Sequence, residues 1–200
     1  TFVRQLLLKY GIIVVLLILI AVISILRPQF MEVKNLLNVL NQSCIYGIMA
    51  LGATFVIITK GIDLSAGYMV AISGLVVASI AQASTAPSKF FPNLPEMPLI
   101  VVVLAGLAVG SLCGLINGTI IAKTKIPPFI ATLGMLTILR GVCLFYSNGK
   151  TISGFTPQVN RIGDKIGVVP IPVIIFAFVI FICWVLLNHT RFGSDTYAIG

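Results

Sequence analysis

Charge is what this sequence has least of. Only 9% of its 200 residues are Asp, Glu, Lys or Arg, against roughly 25% in soluble domains. A soluble globule so poor in charge could not cover its own surface, which excludes a soluble enzyme, a disordered chain and a nucleic-acid-binding domain. Carboxylates are scarcest: Glu32, Asp63, Glu96, Asp164 and Asp195, against 13 Lys and Arg. The net charge of +8 is spread singly between apolar runs. That pattern marks loops, not a patch for nucleic acid. The lone histidine, His189, sits beside Asn188 near Arg191 at the end of an apolar run and reads as interfacial. Cys44, Cys113, Cys143 and Cys183 form no C-x-x-C pair. This excludes a disulfide framework or zinc site and leaves small buried hydrophobes. No Ser/His/Asp arrangement, H-E-x-x-H segment or phosphate-binding glycine loop occurs. No catalytic and no metal-binding residue is therefore expected.

What the sequence has is apolar length. Apolar residues make up 58%, against roughly 45–50% in soluble domains. A membrane-spanning helix needs about 20 mostly apolar residues, and an open strand would leave backbone groups unsatisfied in lipid. The expectation is an all-α, polytopic membrane helical bundle forming one transmembrane domain. About six spans fall near 10–27, 43–60, 64–83, 99–122, 128–147 and 169–188, with polar connections at 84–98 and 148–168. The first run ends in Leu26-Arg27-Pro28, not a small-x-small cleavage site, so it reads as an uncleaved span. Pro98, Pro127-Pro128 and Pro170 with Pro172 lie where a first helical turn tolerates proline. The chain begins at Thr1 and stops at Gly200 within a polar stretch, and reads as a piece of a longer polypeptide.

Two spans carry stripes of small residues. Gly106, Gly110, Gly114 and Gly118 recur every four residues on one slowly turning face, as do Gly67, Ala71, Gly74 and Ala78 approximately. In lipid such faces let helices approach closely, which indicates a packed bundle.

Three places break the apolar pattern. The segment from Thr59 to Ser65, TKGIDLS, joins two spans with almost no loop. An ionisable group near the membrane centre costs roughly 2.5–3.5 kcal/mol on insertion scales, so Asp63 needs a reason to be there. Two reasons stand side by side: Asp63 or Ser65 caps the next helix, or the interruption lines a transport path. The second place is Asn117-Gly118 to Gly134, where Lys123 and Lys125 mark an interface and Thr132 gives the restarted helix a polar face. The third is Arg140, which either snorkels to the surface or lines a wet path. Thr54, Thr59 and Thr137 are further polar side chains near these breaks. With both ends on one side, positive charges divide evenly. Arg4, Lys9, Lys60, Lys123, Lys125 and Arg191 oppose Arg27, Lys34, Lys89, Lys150, Arg161 and Lys165. The positive-inside rule does not choose an orientation.

Four stretches carry a family likeness: GIDLSAG at 61–67, GLINGTIIAKTKIPPFIATLGML at 114–136 with LRG at 139–141, ISGF at 152–155, and TRFGSDTYAIG at 190–200. Together they resemble the permease subunits of bacterial ABC importers for simple sugars, the group serving ribose, galactose and methyl-galactoside, xylose and arabinose. KFFPNLPEMP at 89–98 and ISGF look nearest the galactose/methyl-galactoside branch.

The resemblance implies a multi-pass protein of the bacterial inner membrane that pairs with a second permease chain, as a homo- or heterodimer. It implies cytoplasmic ATP-binding subunits and a periplasmic sugar-binding protein as partners. No cofactor is bound by this chain; ATP is on the partner subunit. Arg191, Phe192, Gly193 and Tyr197 would stand at the entrance to the ATPase-coupling loop. That places both ends of this stretch in the cytoplasm and 84–98 and 148–168 in the periplasm. Asp63, Ser65, Asn117, Thr132 and Arg140 are the expected substrate-pathway residues. In the family the chain continues past the YAIG-like stretch, so this sequence corresponds to the N-terminal two-thirds of a permease. The rival readings are an ion-coupled secondary transporter or channel, with Asp63 and Arg140 as coupling charges, and a structural membrane subunit without a pathway.

Overall fold

The computed structural model describes residues 2–200, with side chains from Tyr10 onward. Thr1 and the side chains of Arg4 and Lys9, invoked above for the chain start and the charge balance, lie outside the described residues. The helices in chain order are α1 (Phe2–Leu26), α2 (Val33–Ile58), α3 (Ala66–Ile80), α4 (Leu99–Thr124) and α5 (Pro128–Ser147). After them come the short α6 (Pro157–Asn160), α7 (Ile171–His189) and α8 (Arg191–Ile199). A two-residue hairpin, β1 (Lys165–Ile166) with β2 (Val169–Pro170), pairs antiparallel in the last loop. The protein is thus an all-α, multi-pass membrane bundle. Among the described residues, α2, α4, α5 and α7 are long and apolar enough to cross a membrane. Tyr10–Leu26 and Ala66–Ile80 are shorter apolar helices.

Prolines set the helix starts. Pro98, Pro127 and Pro170 are the N-cap residues of α4, α5 and α7. Each is extended and needs no N–H for the ladder it opens. Three helices depart from the ranges expected from hydropathy, and α1 already begins at Phe2 rather than near position 10. α2 begins at Val33, ten residues before position 43. Lys34, Asn35, Asn38, Asn41 and Gln42 read as a loop by polarity, yet they lie on the helix. The Asn35 amide donates to Phe30 O at 2.8 Å, tying the helix start to the preceding 3₁₀ turn. α3 has only 15 residues, about 22 Å at the helical rise, short of the roughly 30 Å hydrocarbon core. Its expected last turn does not form, and the chain leaves the helix after Ala81. Ala83 N donates to Gly154 O at 2.8 Å and Thr156 N to Ala81 O at 3.0 Å, so 81–83 pairs with the far loop around a Gln82–Phe155 bridge. Gly154 has φ +81° and a Cβ there would lie 2.9 Å from the Ala86 Cβ, so only glycine suits this close pairing.

The helices associate in two groups. α3 packs against α4 and α5, with Ile72, Cys113, Met135, Leu139 and Cys143 as its buried core. α2 packs against α7, and α8 folds back beneath both. Gly47 on α2 admits the Phe176 ring of α7, which a Cβ would meet at 2.5 Å. The segment 59–65 joins the two groups.

The glycine ladder of α4 serves the first group only in part. A Cβ on Gly106 would press Val77 of α3 at 2.7 Å, and one on Gly110 would touch Ser73 Oγ at 3.4 Å. Gly114 and Gly118 have nothing within 4 Å. The reason is angular: each step of four residues advances about 40° round the helix. The ladder therefore turns away from α3 before it ends, and the contact passes to Cys113 and Asn117.

Candidate functional site

The break between α2 and α3 is built by local chemistry. Lys60 N donates to Ile57 O and Gly61 N to Val56 O, both at 2.9 Å, which closes the C-terminus of α2 in the Schellman manner. Lys60, not a glycine, takes the left-handed position, at φ 56°. The chain then runs across the foot of α5. There Leu64 N donates to Thr132 Oγ1 at 3.3 Å. The Thr132 hydroxyl proton faces the carbonyls of Pro128 at 2.8 Å and Ile62 at 3.2 Å.

Asp63 does not cap α3 in the way the sequence suggests. Ser65 is the N-cap residue, but its side chain makes no capping bond to the helix. The Asp63 Oδ1 instead accepts from Ser65 N at 2.8 Å and Ser65 Oγ at 2.6 Å. With its proton committed to Asp63, Ser65 Oγ accepts from Asn117 Nδ2 at 2.9 Å. A relay therefore runs from the α4 amide through the α3 hydroxyl to the carboxylate. Ser65, Thr132 and Asn117 are all buried. Asn117 Oδ1 is buried too and has no hydrogen-bond partner among the described residues. Such an orphan acceptor costs about 1–3 kcal/mol, so it is a poor choice for a purely structural residue.

Beside this cluster lies a cavity of about 570 Å³ between α2 and α3. Its walls include Met49, Gly52, Val56 and Met69, and Asp63 is the one charged residue among those lining it. The cluster thus combines a carboxylate, a hydroxyl relay and an unpaired amide oxygen beside a largely apolar space. It offers a carboxylate at the wall of that space to a polar solute. The Ser65 hydroxyl bonded to Asp63 is fully buried, and among the described residues no group of three His, Cys, Asp or Glu is placed to hold a metal.

Of the five residues expected along a pathway, four meet here: Asp63, Ser65, Asn117 and Thr132. Arg140 does not join them. It lies eight residues beyond Thr132 on α5, about 12 Å along the axis, and it is exposed. Thr54 and Thr137 are likewise outside the cluster; their hydroxyls donate to Ala50 O and Leu133 O of their own helices.

At the other end of the fold, α8 carries Arg191, Phe192, Gly193 and Tyr197. Thr190 Oγ1 caps it by accepting from Gly193 N at 3.4 Å. Gly193 is buried, and a Cβ there would stand 2.0 Å from Leu187 O, so glycine is required where α8 turns under α7. Phe192 reaches the Phe55 ring of α2, centroids 5.9 Å apart, while Arg191 and Tyr197 are exposed.

Sequence reasoning missed a second polar centre, Gln82. It is 1% exposed. Its amide nitrogen donates to Ser153 O at 2.8 Å and Ser88 O at 3.1 Å, and its oxygen accepts from Phe90 N at 2.6 Å. One side chain thus fastens both long loops to the end of α3. Ser79 and Tyr146 add a hydroxyl pair at 2.7 Å, and Tyr146 stacks on Phe90. The available signal was a lone glutamine closing an apolar span.

Long apolar helices, close glycine packing and a polar break at a helix junction make this a multi-pass membrane protein. The chain belongs to the family described as branched-chain amino acid transport system / permease component, whose model matches residues 35–200. It is 42% identical over 193 residues to the ribose import permease protein of Escherichia coli (strain K12), covering 94% of this chain and 56% of that protein. It is 40% identical over 198 residues to the galactose/methyl galactoside import permease protein of the same strain, covering 95% and 59%. The ribose import permease protein of Bacillus subtilis (strain 168) is 39% identical over 196 residues, covering 96% and 57%. The chain therefore spans less than three-fifths of the length of these curated relatives. Identities of 42% and 40% do not select the galactose branch over the ribose one. No solved structure matches.

Proposed function

We propose that this chain is the transmembrane permease subunit, in part, of an ABC importer that carries a monosaccharide of the ribose or galactose type across the bacterial inner membrane. The observation that carries the reading is the cluster at the α2–α3 break. Asp63, with one carboxylate oxygen free of Ser65, stands at a cavity, and the orphan Asn117 oxygen lies buried behind it. A sugar is neutral and needs acceptors and donors for hydroxyls rather than a counter-ion. A carboxylate is the strongest acceptor available for them. The relatives whose printed names say ribose and galactose/methyl galactoside supply the substrate class.

In this reading the chain is a gate without an energy source of its own. ATP binds and is hydrolysed on separate cytoplasmic subunits, and a periplasmic binding protein delivers the sugar. A second permease chain completes the path. Both ends of this stretch face the cytoplasm, where exposed Arg191 and Tyr197 on α8 meet the ATPase. The two helix groups swing about 59–65, which opens and closes the cavity beside Asp63. Arg140, away from the cluster, lines the path nearer the periplasm or the second chain.

The test is uptake by vesicles holding the full-length permease, its ATPase and its binding protein, across ribose, galactose, xylose, arabinose and leucine. ATP-dependent uptake of a sugar that survives an uncoupler is expected. Uptake that an uncoupler abolishes and ATP depletion spares would replace this reading with a secondary transporter. Leucine uptake without sugar uptake would move the substrate to amino acids. Partner binding with no uptake of any solute would make the chain a scaffold.

A further inference from the structure

The loop end of the bundle holds a second cleft that the α2–α3 cluster does not use. It has a volume of about 520 Å³ and lies between the segment leading into α4 and the α6 turn. That volume is within the roughly 300–1,000 Å³ range of small-molecule sites. Glu96 and Arg161 line it together with Gln158 and Thr156, and Met97 and Pro157 give it an apolar wall.

The Glu96 carboxylate is held in place by its neighbours, and Arg161 is placed by its backbone. Glu96 Oε1 accepts from Ser84 N and Ser84 Oγ, each at 2.7 Å, which leaves Oε2 without a partner among the described residues. The Ser84 amide, then its hydroxyl and a smaller pull from Lys89, hold the carboxyl below its ordinary pKa. Arg161 takes no part in that stabilisation. Its backbone opens the 3₁₀ turn Arg161–Gly163, fixed by Asp164 N donating to Arg161 O at 3.0 Å. The cleft is therefore lined by an ionised acceptor and a five-donor guanidinium that are not satisfied by each other. Thr156, 3% exposed, adds a buried hydroxyl with no partner among the described residues.

A cleft lined by one charge of each sign favours neither a simple anion nor a simple cation. It suits a zwitterion or a neutral molecule with several hydroxyls, each able to donate to a carboxylate and accept from a guanidinium, and the sugar reading above chooses the second. We propose that this cleft is a surface monosaccharide subsite, where ring hydroxyls bridge Glu96 and Arg161, Gln158 adds an amide, and Met97 and Pro157 face the C–H side of the ring. The proposal rests on the sugar reading above for its substrate class. It gives the sugar a landing place outside the membrane-embedded break.

The experiment uses full-length permease in nanodiscs without binding protein, titrated with ribose and galactose and read by saturation-transfer NMR. The wild type binds one of the two. Arg161→Ala weakens binding about tenfold, the loss of one charge-assisted pair. Arg161→Lys, which keeps the charge and loses the fork, gives an intermediate loss, and Glu96→Gln also weakens it. Equal thermal unfolding of the variants shows that the effect is local. The proposal is overturned if Arg161→Ala binds sugar as the wild type does, or if leucine competes the sugar off. It is also overturned if the variants lose binding-protein association while sugar binding persists. ATP-driven uptake from saturated binding protein separates the two levels. Uptake at the wild-type rate with no cleft binding sinks only the subsite, whereas no sugar uptake under any condition sinks the functional reading itself.

Discussion

At one end of α3, Gln82 gives both amide protons and its oxygen to three loop backbone groups and keeps nothing free. At the other end, Asn117 is as deeply buried, yet only its nitrogen is bonded, and its oxygen has no partner among the described residues. The two side chains have the same chemistry and nearly the same burial. They differ in what surrounds them: Gln82 is enclosed by the loops it fastens, whereas the relay from Asn117 leads to Asp63 at a cavity. A fully satisfied buried amide fixes a structure, while a partly satisfied one beside a space is suited to exchanging partners. The loop end of α3 is therefore a clasp, and the break end is the site we propose for transport.

Removing the clasp gives the largest expected effect. Gln82→Leu keeps the side-chain volume and strands Ser88 O, Ser153 O and Phe90 N. At about 1 kcal/mol for each lost bond, the folded state should lose about 3 kcal/mol. Gln82→Glu should also destabilise, because a carboxylate cannot donate to the two carbonyls. Denaturant unfolding of the purified protein in detergent measures both. A Gln82→Leu protein as stable as the wild type would dissolve the contrast between the two ends.

The next effect should fall on transport, not on folding. Asp63→Ala in the full-length permease removes the acceptor for Ser65 N and Ser65 Oγ and the carboxylate at the cavity. ATP-driven sugar uptake should drop about tenfold or more, equivalent to one lost charge-assisted contact. Normal uptake at normal expression would remove Asp63 from the pathway. Asn117→Leu is the finer instrument. It deletes one bond, to Ser65, and one orphan oxygen, so stability should shift by less than about 1 kcal/mol. Uptake should still fall several-fold. If unfolding and uptake changed in the proportions seen for Gln82→Leu, the two amides would be doing the same job.

The break was legible in the sequence because TKGIDLS interrupts two apolar runs with a glycine and charges, and each polar residue there stands out against its neighbours. Asn117 and Thr132 were legible for the same reason. Their meeting was not, because it depends on α3 lying between α4 and α5, a matter of rotation that hydropathy does not encode. Arg140 was equally conspicuous, but helical phase puts it on the exposed side of α5. The glycine ladder shows the same limit: an i, i+4 repeat names a stripe without saying how far its rotation keeps it in contact. Gln82 was invisible because its partners are loop backbone groups, up to 71 residues away in sequence. The early start of α2 was hidden because a polar helical turn and a polar loop have the same composition.

The smallest effect tests whether the clasp end is fixed by charge as well as by amides. Glu96 ties the first loop back to Ser84 through two bonds to one carboxylate oxygen, and the Ser84 amide foremost lowers its pKa below the ordinary 4.5. A lowered folded-state pKa means that the unfolded chain binds the proton more readily. The contribution is therefore present above the unfolded value and is lost as the pH falls through the lower folded one. Hydrogen exchange at the Ser84 amide should stay slow as the pH is reduced to 4.5, after allowing for the intrinsic pH dependence of exchange, and quicken only below it. In Glu96→Gln the same amide should lose this pH step. Protection at the Asp63–Ser65 break should not follow the step, since Glu96 bonds only to the loop end. A step shared by both ends would mean that the clasp and the proposed transport site open together, and the division between them would have to be abandoned.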